Sequence, residues 1–194
     1  MVALDSEEVL ERGDEAPAFE LPGTDGETHS LADFADHEAL LVVFTCNHCP
    51  YAKAKFGELN ALAEEYDEVA VVGVNPNDEG EYPEDSFEKM REYVERGDVQ
   101  YDAYLRDESQ EVAAAYGAVC TPDPFLFERV NGTFRLAYHG RLDDALNPDD
   151  EPTEREMEGH IETLLAGREV DAEFRASRGC SIKWKPGNEP DYAG

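Results

Sequence analysis

Two cysteines stand three residues apart in the tetrad Cys46-Asn47-His48-Cys49, and Pro50 follows directly. On a first helical turn, the i and i+3 positions lie within bridging distance for two thiols. The free N–H groups and the positive dipole end of such a helix also favour a thiolate. The tetrad therefore predicts reversible disulfide chemistry by Cys46 and Cys49.

His48 lies between the two cysteines and is the first candidate for tuning their reactivity. A protonated imidazole near sulfur stabilises a thiolate, and lowering a cysteine pKa by 2 to 3 units from ~8.5 corresponds to roughly 3 to 4 kcal/mol. The alternative is a solvated loop histidine without effect on sulfur.

Two other interpretations of Cys46 and Cys49 are a pair of buried structural cysteines and a metal site. Cys46, His48 and Cys49 are all metal-ligand types, but no second CxxC or HxxxH completes a tetrahedral site. We also expect that His48 cannot easily turn inward beside both thiols. The sequence thus predicts no metal, and no cofactor other than the redox-active disulfide itself.

The tetrad follows an apolar run from Leu40 to Phe44, which is typical of a central strand covered on both faces. A helix is predicted over 51–66, and a second buried strand over 69–74. Asn131-Gly132 predicts an antiparallel hairpin between apolar segments 125–127 and 134–138, and turn residues 23–26 predict an N-terminal hairpin. Capping boxes place helix starts at Asp85, Asp107 and Thr153. This order predicts an α/β fold in which helices cover both faces of a mixed sheet.

The chain carries 46 acidic against 16 basic residues, a net charge of −30. Such a surface repels nucleic acid and anionic membranes. No signal peptide or membrane span is evident, so we expect a cytoplasmic protein. Acids spread over every predicted helix resemble proteins of salt-accumulating halophiles, which suggests a haloarchaeal origin and marginal folding at low salt. The sequence does not indicate an oligomeric state.

The order of elements, with CxxC at the first strand–helix junction and Thr121-Pro122 before a hairpin, resembles the thioredoxin fold. The Ala-Pro-Ala-Phe-Glu-Leu-Pro start at 16–22 resembles its peroxiredoxin-like branch, the alkyl hydroperoxide reductase/thiol-specific antioxidant group. The similarity covers roughly residues 13–186. It implies a three-layer α/β/α thioredoxin fold with an N-terminal hairpin extension and an antioxidant or disulfide-exchange activity.

The resemblance also implies roles for individual residues. Pro122 is expected to be cis and to face the CxxC, and the backbone of Thr121 to pair with a bound substrate chain. Thioredoxin-like motifs place the first cysteine at the helix N-cap, which favours Cys46 as the attacking sulfur. Pro50, however, is of a type preferred at the first helical position and would make Cys49 the cap.

The resemblance leaves three activities open. The favoured one is a thiol-disulfide oxidoreductase acting on protein or low-molecular-weight disulfides; a peroxidase and a non-catalytic redox-sensing adaptor are the alternatives. Peroxiredoxins carry a Pro-x-x-x-Thr-x-x-Cys motif, and neither Cys46 nor Cys49 has that Pro and Thr upstream. Thr45 and Arg141 remain as loose substitutes for the peroxide-organising pair.

Cys120 and Cys180 are possible accessory thiols. Cys120 lies two residues before Pro122, and packing is the simpler role for it. Cys180 lies in an acid-free segment, 174–186, that holds four bases and the only tryptophan, Trp184. This tail is expected either to dock on the acidic body or to cover the redox site, with Cys180 bonded to Cys120 or to a partner protein.

We divide the chain into an acidic leader (1–15), a thioredoxin-like domain (16–170) and a basic tail (171–194).

Overall fold

A five-stranded mixed sheet forms the centre of the fold. The structure, a computed structural model, describes residues 3–193. Its strands are β1 (Ala3–Asp5), β2 (Glu20–Pro22), β3 (Thr28–Ser30), β4 (Ala39–Phe44), β5 (Val69–Asn75), β6 (Ala103–Arg106), β7 (Cys120–Thr121), β8 (Asp123–Val130), β9 (Thr133–His139) and β10 (Arg178–Ser181). The central sheet has the order β6-β5-β4-β8-β9. Strands β4, β5 and β6 are parallel, whereas β8 is antiparallel to both β4 and β9.

Helices cover both faces of this sheet. They are α1 (Pro50–Lys53), α2 (Phe56–Glu65), α3 (Phe87–Glu95), α4 (Glu111–Tyr116) and α5 (Glu156–Leu165). Because successive side chains of a strand point to opposite faces, the apolar run of β4 supplies two cores. Leu40 and Val42 pack on the side of α4 and the β2–β3 hairpin. Leu41 and Val43 pack on the side of α2 and α5. The predicted layered α/β architecture is therefore confirmed.

Both predicted hairpins are present. Strands β2 and β3 pair antiparallel, although β2 is limited to Glu20–Pro22. In the second hairpin Val130 pairs with Thr133 across Asn131 and Gly132, both of which have positive φ (51° and 83°). A left-handed conformation at both turn residues is what an Asn-Gly turn supplies at low steric cost.

Four sequence-based helix boundaries are wrong. The predicted helix over 51–66 is interrupted between Lys53 and Phe56, giving α1 and α2. Helix α3 is capped by Ser86, whose hydroxyl accepts from the Lys89 N–H. Helix α5 begins at Glu156, and Thr153 bonds Asp144 instead. For α3 and α5 the residue expected to cap the helix is engaged elsewhere, since Asp85 accepts from the N–H groups of Asn47 and His48, and Thr153 donates to Asp144. Helix α4 begins at Glu111 rather than at Asp107, although the Asp107 carboxylate accepts from the N–H groups of Gln110 and Ala113 there.

The leader and the tail form a second sheet with the segment before Pro122. Strand β10 lies between β1 and β7 and is antiparallel to both. Arg175 and Lys185 of the tail pair with Glu156 and Glu108, and Trp184 packs against the core. The tail is therefore docked by strand pairing, ion pairs and an apolar anchor together. Within residues 3–193, no helix is long and apolar enough to cross a membrane.

Candidate functional site

The tetrad forms the loop between β4 and α1. Cys49 is the N-cap of α1, with extended φ and ψ of −75° and 125°, and Pro50 occupies the first helical turn. Cys46 therefore lies in the loop before the helix. The proline preference, rather than the thioredoxin-like register, correctly gives the helix start. Cys46 and Cys49 are both fully buried.

The disulfide in the structure joins Cys49 to Cys180, 131 residues later in the chain. Their Cα atoms are 6.2 Å apart, within the usual range for a disulfide. Cys46 and Cys120 are free, buried thiols. The suggested bond between Cys180 and Cys120 is therefore wrong, whereas the expectation that the tail lies over the tetrad agrees with the structure. Cys46, Cys49 and Cys180 belong to one buried cluster.

Thr121 contacts both sulfurs of the tetrad. Its hydroxyl lies 3.2 Å from Cys46 Sγ, and its carbonyl oxygen lies 3.4 Å from Cys49 Sγ. The Thr121–Pro122 peptide bond is cis, as the resemblance implies. The backbone edge expected to hold a substrate chain is paired with β10, which places Cys180 opposite Thr121. In this structure the chain's own tail thus occupies the expected substrate edge.

Asp85 is a component of the site that the sequence analysis assigned only to a helix cap. Its carboxylate is fully buried and accepts from the backbone N–H groups of Asn47 (2.7 Å) and His48 (3.2 Å). It also accepts from the Asn77 side-chain amide (2.8 Å) and is hydrogen-bonded to His48 Nδ1. Burial opposes ionisation of Asp85, but the hydrogen bonds from His48, Asn77 and Asn47 outweigh it and hold its pKa below the usual value.

His48 is turned inward, contrary to expectation. Only 10% of its side chain is exposed, and its ring stacks on Tyr82 with centroids 4.5 Å apart. The bond between Nδ1 and Asp85 fixes the orientation of the imidazole, as a carboxylate partner commonly does. Nε2 is buried and makes no hydrogen bond within residues 3–193. This second nitrogen is therefore available for proton transfer.

Asn47 holds the loop in place. Its side-chain oxygen accepts from the Tyr104 hydroxyl (2.8 Å), and its amide donates to the Glu84 carbonyl (2.9 Å). Its own carbonyl accepts from the Tyr93 hydroxyl (3.3 Å). Because these partners come from β6, α3 and the segment before α3, the loop is fixed from several sides. Asn47 thus positions the cysteines on either side of it.

The surroundings of Cys46 favour the neutral thiol. Burial, with a smaller contribution from the Asp85 carboxylate, raises the pKa of Cys46 to about 12. The Thr121 hydroxyl and the backbone N–H groups of Cys49 and His48 act in the opposite direction, because they stabilise the thiolate. Any reaction of Cys46 near neutral pH therefore needs a nearby group to accept its proton.

The tail also contributes the Lys183 side chain to the surroundings of Cys46. Lys183 Nζ donates to Ser181 Oγ (2.8 Å) and lies 5.4 Å from the centre of the Tyr82 ring. Burial lowers the pKa of Lys183, while attraction by Cys46 and Asp85 partly opposes that effect. Lys183 therefore lies close enough to act on the charge of Cys46. The acid-free composition of the tail was the signal that could have identified it.

Donor atoms of Cys46, His48 and Asp85 lie within 4.8 Å of one another, a spacing that a metal ion could bridge. Each Asp85 oxygen, however, already accepts two N–H donors. A metal would have to displace several of these bonds. The hydrogen-bonded network is thus the better description of this cluster.

The other sequence candidates lie apart from this network or serve packing. Arg141 forms a bidentate ion pair with Glu156, at 2.6 and 2.9 Å. Thr45 is fully buried, and its N–H continues the β-sheet by donating to the Val74 carbonyl. Burial and the nearby Asp123 raise the pKa of Cys120 well above its ordinary value. Cys120 is thus an unreactive thiol in this state.

Comparison with known proteins identifies the fold and the family of the chain. Thioredoxin-like proteins share the architecture: a pneumococcal exposed lipoprotein thioredoxin from Streptococcus pneumoniae is 21% identical, with a TM-score of 0.54 over 77% of this chain and 99% of that one. The chain thus has a thioredoxin-like fold. The AhpC/TSA family profile matches residues 12–141, and the chain belongs to that family. Family and fold together support a thiol-based redox function.

Two solved structures resemble the chain over almost its whole length. An uncharacterized conserved protein from Geobacillus kaustophilus is 40% identical, with a TM-score of 0.88 over 96% of this chain and 98% of that one. A hypothetical protein from Sinorhizobium meliloti is 36% identical, with a TM-score of 0.87 over 94% and 99%. No similar protein was found among the curated proteins.

Proposed function

We propose that this protein is a thiol-disulfide oxidoreductase that uses Cys46 and Cys49 on protein or low-molecular-weight disulfides. The observation that carries the proposal is the position of both sulfurs against Thr121, directly before the cis Pro122. That position brings the two cysteine sulfurs together with the backbone edge that β10 occupies in this structure. Such a site can accept a disulfide, hold it as a mixed disulfide and release it reduced.

Cys49 is the sulfur we assign to the exchange with substrate. It caps α1 and is the tetrad cysteine that carries a disulfide to another strand. Its thiolate attacks the substrate disulfide, which forms a mixed disulfide and releases one substrate thiol. Cys46 then attacks Cys49 Sγ, which forms the Cys46–Cys49 disulfide and releases the second substrate thiol.

Cys46 needs a base for this second step, because its pKa is raised to about 12. His48 and Asp85 are the nearest candidates, with donor atoms within 4.8 Å of those of Cys46. His48 accepts the proton while Asp85 holds the ring and stabilises the imidazolium through Nδ1. Lys183 adds a positive charge in the same region. We thus assign to His48 and Asp85 together the tuning role that was expected of His48.

The experiment is turnover of a model protein disulfide, such as insulin, with dithiothreitol as the reductant. Wild-type protein should accelerate disulfide reduction, and Cys46→Ser and Cys49→Ser should each lower the rate at least a hundredfold. Cys120→Ser is the matched control, because it removes a buried thiol outside the tetrad. A wild-type protein that forms its disulfide but gives no turnover would instead indicate a redox-sensing adaptor.

A thiol-dependent peroxidase is the second candidate, because the chain belongs to the AhpC/TSA family. In that reaction a thiolate attacks peroxide, and the resulting sulfenic acid condenses with the second thiol to release water. Against it, the Arg141 guanidinium is already engaged in a bidentate ion pair with Glu156. Peroxide consumption by the reduced protein, faster than its disulfide exchange, would favour this candidate.

A further inference from the structure

Strand β10 lies where a thioredoxin-like protein is expected to hold its substrate chain. It pairs antiparallel with β7, which puts Cys180 opposite Thr121, and Cys180 is bonded to Cys49. A strand on the edge beside the cis proline, joined by a disulfide to the exchanging cysteine, has the arrangement of a mixed disulfide. In this protein the exchanging cysteine and the strand bonded to it belong to the same chain.

We propose that β10 is an internal substrate of the Cys46/Cys49 pair and that Cys180 is a third redox cysteine. This inference rests on the proposed function, because it requires Cys46 and Cys49 to exchange disulfides. It also places a requirement on the tail, since only glycine directly before Cys180 lets β10 approach Thr121 this closely. External protein substrates then compete with β10 for the same edge.

Gly179 allows β10 to lie this close to Thr121. A Cβ at this position would lie 2.1 Å from the Thr121 carbonyl oxygen and 2.4 Å from its carbonyl carbon. Both are backbone atoms, so no side-chain rotation can relieve the contact. A larger residue before Cys180 would therefore push the strand away from Thr121 and draw the cysteine away from Cys49.

Bonds on both sides of β10 hold Cys180 in place. Before it, the Ser177 hydroxyl donates to the Pro122 carbonyl (2.7 Å). After it, the Ile182 N–H donates to the Val119 carbonyl (3.0 Å), and the Gln110 amide donates to the Lys183 carbonyl (2.8 Å). Tethering a reactive group in this way raises its effective concentration at the site. Cys180 is thus presented to Cys49 continuously while the tail is docked.

Exchange between the Cys49–Cys180 and Cys46–Cys49 disulfides needs no outside oxidant. Cys46 loses its proton and its sulfur attacks Cys49 Sγ, which forms the Cys46–Cys49 bond and breaks the Cys49–Cys180 bond. Cys180 leaves as a thiolate and takes up a proton. One disulfide and one thiol are present before and after the step. The bonded tail is the closed state, and the Cys46–Cys49 disulfide is the state in which Cys180 is released.

Disulfide mapping by mass spectrometry tests the inference. The protein is equilibrated in a reduced and oxidised dithiothreitol buffer, quenched with acid and alkylated, and the ratio of Cys49–Cys180 to Cys46–Cys49 bonds is measured. Gly179→Ala should lower this ratio at least tenfold. Gly159→Ala, at an exposed glycine of α5 where a Cβ meets no atom within 4 Å, should leave it within twofold.

The inference is overturned if Gly179→Ala keeps the wild-type ratio, or if only Cys49–Cys180 bonds are found in oxidised wild type at every buffer potential. If Gly179→Ala fails to fold, Ile182→Ala replaces it, because Ile182 anchors the same tail in the core. It should lower the ratio at least threefold, and an unchanged ratio would again contradict the proposal.

Cys180→Ser separates this inference from the proposed function. Without the internal disulfide, this variant should reduce insulin at least twofold faster than wild type. A variant that gives no turnover would refute the proposed function itself. Turnover no faster than wild type, with a ratio that Gly179→Ala does not change, would refute the internal substrate alone.

Discussion

The hydroxyl of Thr121 lies 3.2 Å from Cys46 Sγ, although the two residues are 75 positions apart in the chain. Either atom can donate in the neutral state, but only the hydroxyl can donate to a thiolate. This bond therefore favours ionisation of Cys46 against the effect of burial. Thr121 thus lies at the expected substrate edge, and its hydroxyl also favours ionisation of Cys46, the resolving cysteine.

Thr121→Val should slow resolution by Cys46, because the thiolate loses its hydroxyl donor while the side-chain volume is kept. A hydrogen bond of about 1 kcal/mol corresponds to a roughly fivefold slower release of the second substrate thiol. Stopped-flow measurement of mixed-disulfide decay checks this. The control is Thr28→Val, at an exposed position in β3. Equal decay rates for wild type and Thr121→Val would contradict the assigned role.

Asp85→Asn should lower the pKa of Cys46. Burial is the larger cause of the raised pKa, and the Asp85 carboxylate is the next one, which this change removes. The pH dependence of the alkylation rate of Cys46 is measured in protein that carries serine at Cys49, Cys120 and Cys180. The exposed Asp36→Asn serves as the control. A Cys46 titration that does not move, or moves upward, would show that Asp85 does not act on this sulfur.

The pH dependence of stability should also report on Asp85. Its pKa in the folded protein is below that of the unfolded chain, so its contribution to stability is present above about pH 4 and is lost as pH falls further. Chemical unfolding measured from pH 7 to pH 3 should therefore show a smaller acid-induced loss in Asp85→Asn than in wild type. An identical loss in both proteins would mean that the hydrogen bonds do not stabilise the carboxylate.

Salt should stabilise the fold strongly. A net charge of −30 produces mutual repulsion in dilute buffer, and molar salt shortens the Debye length to ~3 Å. The melting temperature should rise between dilute buffer and 2 M KCl, by more than that of a variant in which ten exposed acids are replaced by their amides. A melting temperature that does not change would refute the halophilic interpretation of the composition.

The local patterns predicted the elements of this fold better than their boundaries. The apolar run of β4 and the Asn131-Gly132 turn act through short-range sterics and burial, which the sequence shows directly. The start of α3 was misplaced because Asp85 forms hydrogen bonds with Asn47 and His48, 38 and 37 residues earlier. Local capping rules contain no information on such partners.

The same distinction applies to the site. Cys46, Cys49 and the Thr121-Pro122 pair could be identified because motif spacing and a family resemblance mark them. The disulfide partner of Cys49 could not be identified from the sequence, because the sequence alone does not fix the pairing of four cysteines. It depends on β10 docking against β7, a long-range strand pairing. Trapping of a mixed disulfide shows which of the two cysteines attacks the substrate.

The central claim is that Cys49 exchanges with the substrate and Cys46 resolves the mixed disulfide. Its most direct test is trapping in a Cys180→Ser background, which removes the internal competitor. Cys46→Ser should accumulate a stable mixed disulfide with an insulin chain through Cys49, detected by non-reducing electrophoresis and peptide mapping. Cys49→Ser should accumulate none. A mixed disulfide trapped by Cys49→Ser through Cys46, with none in Cys46→Ser, would contradict the account.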